Sequence, residues 1–258
     1  MTKIRMVIVT AILLERLVVQ LKEFFEKKEN RELLNKLNFF PIADKDTGEN
    51  AYITLKGIVS AVSKKDYLTL GDMIDDLLES AQMQARGNVG TAISNALIGF
   101  FRELQKEGIS SKDFAPDLID WVKENLPLSG NEPDFEEIDR RIAAIDGRII
   151  ARAIGAAAEK VAKGFSDPQK KTVIDVIDAA SKEAASQVES GENDPALVLE
   201  KAIAKAREAL AETKGKLHEG KVIPTVDAGA EALVHILEAF ASVFTEDIER
   251  RENFHGRE

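Results

Sequence analysis

The sequence predicts an all-α protein that folds as a single domain of about eight helices. Three observations predict this class. Ala, Leu, Glu and Lys dominate a chain of 258 residues with few aromatic side chains. Apolar residues recur at helical spacing through most of its length, and all seven prolines fall where a helix can begin or end. We expect one domain over 1–250 and a polar, mobile tail over 251–258.

The N-terminal half carries a series of periodic segments. Apolar positions from Ile8 to Phe25 predict a first helix through Lys28. The apolar run at its start is shorter than the roughly 20 residues that a membrane-spanning helix needs, so we expect no membrane span. Further helical segments are expected at 32–37, 49–62, 70–84 and 91–106.

The C-terminal half is also helical in pattern. Trp121 is expected in the core, and the small residues around Gly155 predict a close contact between helices. Asp-Pro pairs at 167–168 and 194–195 are typical helix starts, with proline at the first helical position. The predicted helices cover 114–125, 136–164 with an interruption at 146–148, 168–189, 195–213 and about 229–250.

Composition excludes several functions. A formal net charge of −10 argues against a nucleic-acid surface, which needs clustered Lys and Arg. The chain has no cysteine, and its three histidines lack ligand spacing, so a zinc enzyme is not expected. The acidic balance suits a cytoplasmic protein.

An acidic turn precedes the second long helix. Asp44 and Asp46 lie two residues apart, and on an irregular turn two such carboxylates can face one hard cation such as Mg²⁺. The alternative is a helix start, in which Asp46 or Thr47 is the N-cap and Glu49 completes a pattern like a capping box. Spacing alone leaves both interpretations open.

A glycine turn opens a later helix. Gly87 and Gly90 lie three residues apart in the segment 85–91, which also holds Asn88 and Thr91. Backbone N–H groups at such a helix N-terminus can bind phosphate. No Gly-Lys-Ser/Thr follows, so this is not a Walker A loop. A simple connection between helices is the alternative.

Four segments, taken in order, resemble the dihydroxyacetone kinase L-domain (DAK2) family. Residues 37–50 are similar to its Leu-Asn-x-Phe/Tyr-Pro-Val-Pro-Asp-Gly-Asp-Thr-Gly-x-Asn signature, in the variant found in the kinase component of bacterial fatty-acid kinases. Residues 85–90 resemble Ala-Arg-Gly-Asn-Ser-Gly, and residues 226–229 resemble Val-Asp-Ser-Gly. Residues 145–147 are a weaker match to Val-Glu-Gly.

The resemblance implies an antiparallel helical barrel that binds ATP or ADP with Mg²⁺ at one end. Asp44 and Asp46 would be the metal ligands at the catalytic centre, with Asn38 as a third candidate ligand. The residues implied to line the phosphates or close the nucleotide site are Thr47, Asn50, Asn88, Gly90, Thr91, Asp227 and Gly229.

Several positions depart from the family pattern. Lys45 replaces a Gly, Val89 a Ser and Arg148 a Thr, so two hydroxyls that could bind phosphate are lost. Lys45 and Arg148 add cations that could contact phosphate or substitute for part of a metal's charge. The sequence leaves open whether the site is retuned or decayed.

The family comparison implies a kinase subunit that transfers a phosphoryl group to a small acceptor. The acceptor would be dihydroxyacetone-like or a fatty acid, presented by a partner protein that resembles either the dihydroxyacetone-binding (DhaK-like) subunit or a fatty-acid carrier. A homodimer is also considered. The alternatives are a non-catalytic nucleotide-binding or regulatory module of the same fold, and a helical scaffold in which the acidic turn is only a cap.

Overall fold

The computed structural model describes residues 5–39, 43–63, 65–107, 110–114, 116–126, 128, 134–165, 172–218 and 221–255. Within these ranges the α-helices are α1 (Ala11–Glu26), α2 (Lys28–Leu37), α3 (Thr47–Val62), α4 (Leu70–Gln84), α5 (Gly87–Glu107), α6 (Pro116–Asn125), α7 (Phe135–Arg141), α8 (Gly147–Lys163), α9 (Val173–Glu189), α10 (Pro195–Glu212) and α11 (Ala228–His255). A 3-10 helix covers Ser111–Asp113, and four short strands are β1 (Val7–Thr10), β2 (Ile142–Ile145), β3 (Leu217–His218) and β4 (Lys221–Val222).

The eight longer helices form a closed ring. Going around it, each helix packs against the next in the order α1, α3, α4, α5, α8, α9, α10 and α11, and α11 packs back against α1. Helices α2, α6 and α7 are shorter and lie outside this series. The prediction of an all-α fold with about eight main helices is confirmed.

Helices α5 and α8 pack closely against each other and run antiparallel. A Cβ on Gly99 would lie 2.7 Å from the Cα of Ala157, so only glycine permits this approach. The predicted close helix contact in the small-residue segment is therefore present. Arg152, near the start of α8, pairs with Glu107 at the end of α5 at 2.8 Å, so the two helices run antiparallel.

Strands β1 and β2 correct the sequence prediction in two places. They pair antiparallel, with Val7 opposite Ile145 and Thr10 opposite Ile142, so the first helix begins at Ala11 and residues 142–145 form a strand between α7 and α8. The side chains of this pair are almost all buried. A short, continuously apolar run is compatible with a buried strand or a buried helix, and its periodicity does not separate them.

Two predicted helix starts have different outcomes. Asp194 caps α10, where its carboxylate accepts the N–H of Ala196 at 2.9 Å and Pro195 takes the first helical position. Helix α9 begins at Val173 after a capping box between Thr172 and Asp175. The predicted start at 167–168 lies outside the described residues.

A buried ion pair joins the end of α11 to β1. The carboxylate of Asp247 accepts hydrogen bonds from the Arg251 Nε at 3.1 Å and from the Ile8 N–H at 3.3 Å. Arg251 is 9% exposed, donates to the Met6 carbonyl and lies over the Trp121 ring. The prediction of a polar tail from residue 251 is thus wrong, because α11 continues to His255 and Arg251 is part of the interior.

The segment Ala228–Glu252 of α11 is long and apolar enough to resemble a membrane-spanning helix. In the structure, 61% of its most apolar window is buried inside the protein. The main core cluster includes Leu233, Phe240 and Phe244 of this helix. Core packing therefore accounts for its apolar composition.

We expect Arg251→Met to lower the free energy of unfolding by about 3 kcal/mol, because it leaves the buried Asp247 carboxylate without its cation. Burial already raises the pKa of Asp247 despite Arg251. A carboxyl whose pKa is raised by folding favours the folded state at low pH and loses that contribution as pH rises. The loss in the variant should therefore be larger at about pH 8 than at about pH 4.

Urea denaturation at the two pH values measures this effect. Arg250→Met is the matched control, because Arg250 is the exposed neighbour. Equal losses in the two variants would contradict a structural role for the buried pair.

Candidate functional site

The start of α3 is capped from another helix. Asp46 occupies the N-cap position but its side chain makes no capping hydrogen bond. The Asn35 Oδ1, on α2, accepts the Gly48 N–H at 2.7 Å instead, and Glu49 pairs with Arg31 at 2.8 Å. The capping-box interpretation of the acidic turn is therefore wrong, and the Asp46 carboxylate is left for other contacts.

Gly48 permits this arrangement. A Cβ at this position would lie 2.6 Å from the Cα of Arg31, so the backbones of α2 and α3 approach more closely than a larger residue allows. The close approach brings Asn35 within reach of the helix start.

The two carboxylates of the acidic turn lie together. The side chains of Asp44 and Asn50 both lie close enough to the Asp46 carboxyl to shift its pKa. Burial, and then the neighbouring Asp44 carboxyl, raise the pKa of Asp46, while the Asn50 bond opposes this rise. Asn38 is buried, and its Nδ2 donates to the Asp44 Oδ1 at 2.6 Å. In this orientation Asn38 positions Asp44 and does not present its oxygen as a ligand.

Lys45 forms the bend between the carboxylates. Its φ of 58° is in the left-handed region, and it is the one non-glycine residue with positive φ among those that the structure describes. Such a conformation costs about 1–2 kcal/mol for a residue with a side chain. The lysine side chain is exposed. Glycine, which the family signature has at this position, can adopt this bend without strain. Lys45 adopts the same bend at an energetic cost.

The glycine turn packs against the first two turns of α3. Gly87 has a φ of 61°, and a Cβ there would lie 2.8 Å from the Asn50 Nδ2. Thr54 is fully buried; its Oγ1 accepts the Arg86 N–H at 3.1 Å and donates to the Asn50 carbonyl at 2.8 Å. Asn50 thus lies between the acidic turn and the glycine turn.

The other residues of the glycine turn differ in exposure. Asn88 is exposed, and Thr91 is half-buried with its hydroxyl donating to the Gly87 carbonyl at 3.0 Å. Val89, which replaces the family's serine, is 6% exposed and belongs to the main core cluster. Its side chain therefore stabilises the start of α5 by packing.

A third segment reaches the same end of the barrel. The Thr225 hydroxyl donates to the Leu37 carbonyl at 3.0 Å, next to Asn38. Asp227 caps α11 by accepting the Ala230 N–H at 2.8 Å. Burial raises the pKa of Asp227, and the charge of Lys216 opposes that shift. Gly229 lies beside the Asp227 carboxylate in the same cap.

Arg148 lies at the other end of the barrel, so the expectation that it joins this site is wrong. It is the second residue of α8, whose start faces the end of α5 and not the glycine turn. Burial alone would raise the pKa of Asp146, but hydrogen bonds from Ile149, Arg148 and Asn193 lower it. Arg148 therefore pairs with Asp146 in a separate cap.

The structure thus brings three segments together at one end of the barrel. The predicted site residues that lie on these segments are Asn38, Asp44, Asp46, Thr47, Asn50, Asn88, Gly90, Thr91, Asp227 and Gly229. No cluster of three or more His, Asp or Glu side chains able to hold a metal occurs among the described residues. The donor set for a cation is therefore the two carboxylates of Asp44 and Asp46.

Sequence reasoning missed Asn35, Thr54 and Lys216. Each acts through a neighbour that is distant in sequence: Asn35 through Gly48, Thr54 through Arg86, and Lys216 through Asp227. No local pattern marks such residues, because helix packing alone creates these contacts.

We expect Thr54→Val to lower stability by about 1–3 kcal/mol, because the Arg86 N–H loses its acceptor while the side-chain volume is kept. Amide hydrogen exchange at Arg86 and in the glycine turn should accelerate. Ser60→Val, at an exposed position of the same helix, is the control. Unchanged exchange in the Thr54 variant would show that this hydroxyl does not hold the turn.

Comparison with known proteins supports the sequence resemblance. A family model described as the DAK2 domain matches residues 41–126 and 135–242. Uncharacterized proteins of Staphylococcus aureus, from strains bovine RF122 / ET3-1 and USA300, are each 24% identical over 211 residues. These matches cover 82% of this chain and 32% of each relative, so the chain spans about a third of their length.

One crystal structure matches the fold, and a second structure of the same enzyme aligns less well. The native dihydroxyacetone kinase of C. freundii aligns with a TM-score of 0.52 at 16% identity, covering 90% of this chain and 34% of that one. The same enzyme in complex with AMP-PNP and Mg²⁺ aligns at 0.49 with 15% identity, covering 90% and 33%. Since the family model covers most of the chain, the protein belongs to the DAK2 domain family.

Proposed function

We propose that the chain binds ATP or ADP with Mg²⁺ at the end of the barrel that carries the acidic turn. The observation that carries this proposal is the position of Asn50. Its side chain lies near enough to the Asp46 carboxyl to lower its pKa, and its Nδ2 lies against Gly87. A carboxylate pair for a cation and a helix N-terminus for phosphate therefore face one another.

The residues present fit Mg²⁺. This ion is usually held by one or two carboxylates, with water and phosphate oxygens completing its octahedral shell. Asp44 and Asp46 provide two carboxylates. Two negative charges this close repel each other unless they share a proton or a cation. When bound, Mg²⁺ would neutralise charge on the nucleotide phosphates.

The proposed activity is transfer of the γ-phosphoryl group. Such transfer depends mainly on positioning and charge stabilisation. Backbone N–H groups around Asn88 and Gly90 would hold the phosphates, and Thr47, Thr91 and the cap at Asp227 and Gly229 would border the nucleotide. The bond from the γ-phosphorus to its bridging oxygen breaks to leave ADP, and a new bond forms to an acceptor oxygen. A hydroxyl acceptor releases its proton to water, whereas an ionised carboxylate has no proton to lose.

The acceptor is proposed to be held by another protein or domain. We infer dihydroxyacetone or a fatty acid as the acceptor class, presented by a DhaK-like subunit or a fatty-acid carrier, in the cytoplasm. A second copy of this chain remains a further candidate partner. The chain matches only about a third of its relatives' length, which is consistent with a nucleotide-binding part of a larger assembly.

A non-catalytic nucleotide-binding or regulatory module is the second candidate. Two observations favour it. Val89 directs an apolar side chain into the core where the family signature has a serine, and Arg148 pairs with Asp146 at the start of α8, at the other end of the barrel. The phosphates would then be held by fewer side-chain donors.

We expect Asp46→Asn to weaken Mg²⁺-dependent ATP binding by about 100-fold or more, because the amide removes half of the anionic donor set while keeping its shape. Calorimetric titration of ATP with and without Mg²⁺ measures this. Asp66→Asn, at an exposed position, is the control and should bind as the unaltered chain does. Equal binding by the Asp46 variant, or no binding by the unaltered chain, would contradict the proposed site.

ATP turnover separates the two candidate functions. With the substrate-loaded dihydroxyacetone-binding subunit or fatty-acid carrier, a kinase subunit should form ADP and phosphorylated acceptor, and Asp46→Asn should not. Tight nucleotide binding without transfer to either partner would favour the regulatory module.

A further inference from the structure

A buried lysine lies beside the third segment of the proposed site. Lys216 is 7% exposed, although lysine is among the residue types that are least often buried. It lines a small cavity with Leu37, Thr213 and Asp227. Lys216 therefore lies where the end of α2, the end of α10 and the start of α11 come together.

The backbone of Lys216 is held by the hairpin that contains β3 and β4. The Ile223 N–H donates to the Lys216 carbonyl at 2.8 Å, and the Gly215 N–H donates to the Ile223 carbonyl at 3.0 Å. The strands continue this pairing from Leu217 to Val222. These hydrogen bonds fix the backbone position from which the Lys216 side chain extends.

Two charged side chains, Lys216 and Asp227, line the same cavity, and the charge of a third, Asp175, acts on both. Lys216 comes from the hairpin, Asp227 from the start of α11 and Asp175 from the start of α9. Burial lowers the pKa of Lys216, and the charges of Asp227 and Asp175 oppose this shift. Burial raises the pKa of Asp227, while Lys216 and the N–H groups of Ala230 and Gly229 lower it and Asp175 raises it. The ionised forms of Lys216 and Asp227 therefore stabilise each other.

Asp227 is linked by contacts to the acidic turn. Its carboxylate accepts the Ala230 N–H at 2.8 Å, and its own N–H donates to the Thr213 hydroxyl at 2.8 Å. Two residues earlier, Thr225 donates to the Leu37 carbonyl at 3.0 Å. The next residue, Asn38, holds Asp44 at 2.6 Å. A shift of the Asp227 cap can therefore displace one of the two carboxylates.

We propose that Lys216 is a positioning residue of the nucleotide site, whose side chain, in the cavity that it shares with Asp227 and Leu37, holds the segment 225–229 against the end of α2. This inference rests on the proposed function, because it assigns a role within that site. Lys216 acts through Asp227 and does not itself touch the nucleotide.

The first test uses the nucleotide-free chain. ¹³C NMR titration of the Asp227 side-chain carboxyl should give a higher pKa in Lys216→Met than in the unaltered protein, because the opposing cation is gone. This titration tests whether the two charges interact, and the binding measurement below separates a positioning role from a purely structural one. Lys221→Met removes an exposed lysine of the same hairpin and should leave it unchanged. An unchanged Asp227 titration in Lys216→Met would overturn the inference.

The second test measures Mg-ATP binding by calorimetry. Lys216→Met should bind on the order of tenfold more weakly than the unaltered chain, and Lys221→Met should bind equally well. Binding of Lys216→Met at the unaltered affinity would overturn the positioning role and leave the proposed function intact. Failure of the unaltered chain to bind would instead contradict the proposed function.

A double variant covers the case in which Lys216→Met does not fold. Lys216→Met with Asp227→Asn removes both buried charges, so neither is left uncompensated. It should bind no more weakly than Asp227→Asn alone, because Lys216 acts only through Asp227. A further loss of affinity in the double variant would mean that Lys216 contacts the ligand directly and would overturn the proposal.

Discussion

The candidate site depends on how one helix end is capped. The first turn of α3 has N–H groups without partners inside the helix, and Asn35 of α2 accepts one of them from Gly48. Because this acceptor comes from another helix, Asp46 does not have to cap its own. Its carboxylate lies beside Asp44, where two negative charges favour a shared cation. The close approach of α2 and α3 at Gly48 makes this possible.

The antiparallel barrel decides which residues can act together. Neighbouring helices alternate in direction, so α3, α5 and α11 all begin at the same end. The acidic turn, the glycine turn and the cap at Asp227 are therefore adjacent although they are far apart in sequence. The same alternation places the start of α8, with Arg148, at the opposite end.

Much of this could be predicted from the sequence. Helical periodicity predicts the main helices, and the local segments around Asp46, Gly87 and Asp227 predict the parts of the candidate site that the fold brings to one end of the barrel. Contacts across the fold were not predictable, since no sequence pattern links Asn35 to Gly48 or Thr54 to Arg86. The apolar run at Ile8 was misassigned because a buried strand and a buried helix share that composition. The expectation for Arg148 is wrong because a residue beside a short matching motif can still lie far from the other residues of the candidate site.

The family assignment and the geometry together support a nucleotide site whose chemistry remains a proposal. Val89 and Lys45 show two different kinds of departure from the family pattern. Val89 exchanges a hydroxyl for core packing, whereas Lys45 keeps a left-handed bend that glycine would adopt without strain. The bend is thus retained at a cost in stability, which is expected where a site depends on it.

The most direct test of this account locates the metal and nucleotide on the barrel. Mn²⁺, which is paramagnetic, can be added with ATP to the ¹⁵N-labelled chain, and the broadening of each amide signal reports its proximity to the ion. The account predicts strong broadening at Thr47, Asn88 and Gly229 and none at Arg148 or Asn193. Broadening centred on the Arg148 end, or no localised broadening, would contradict it.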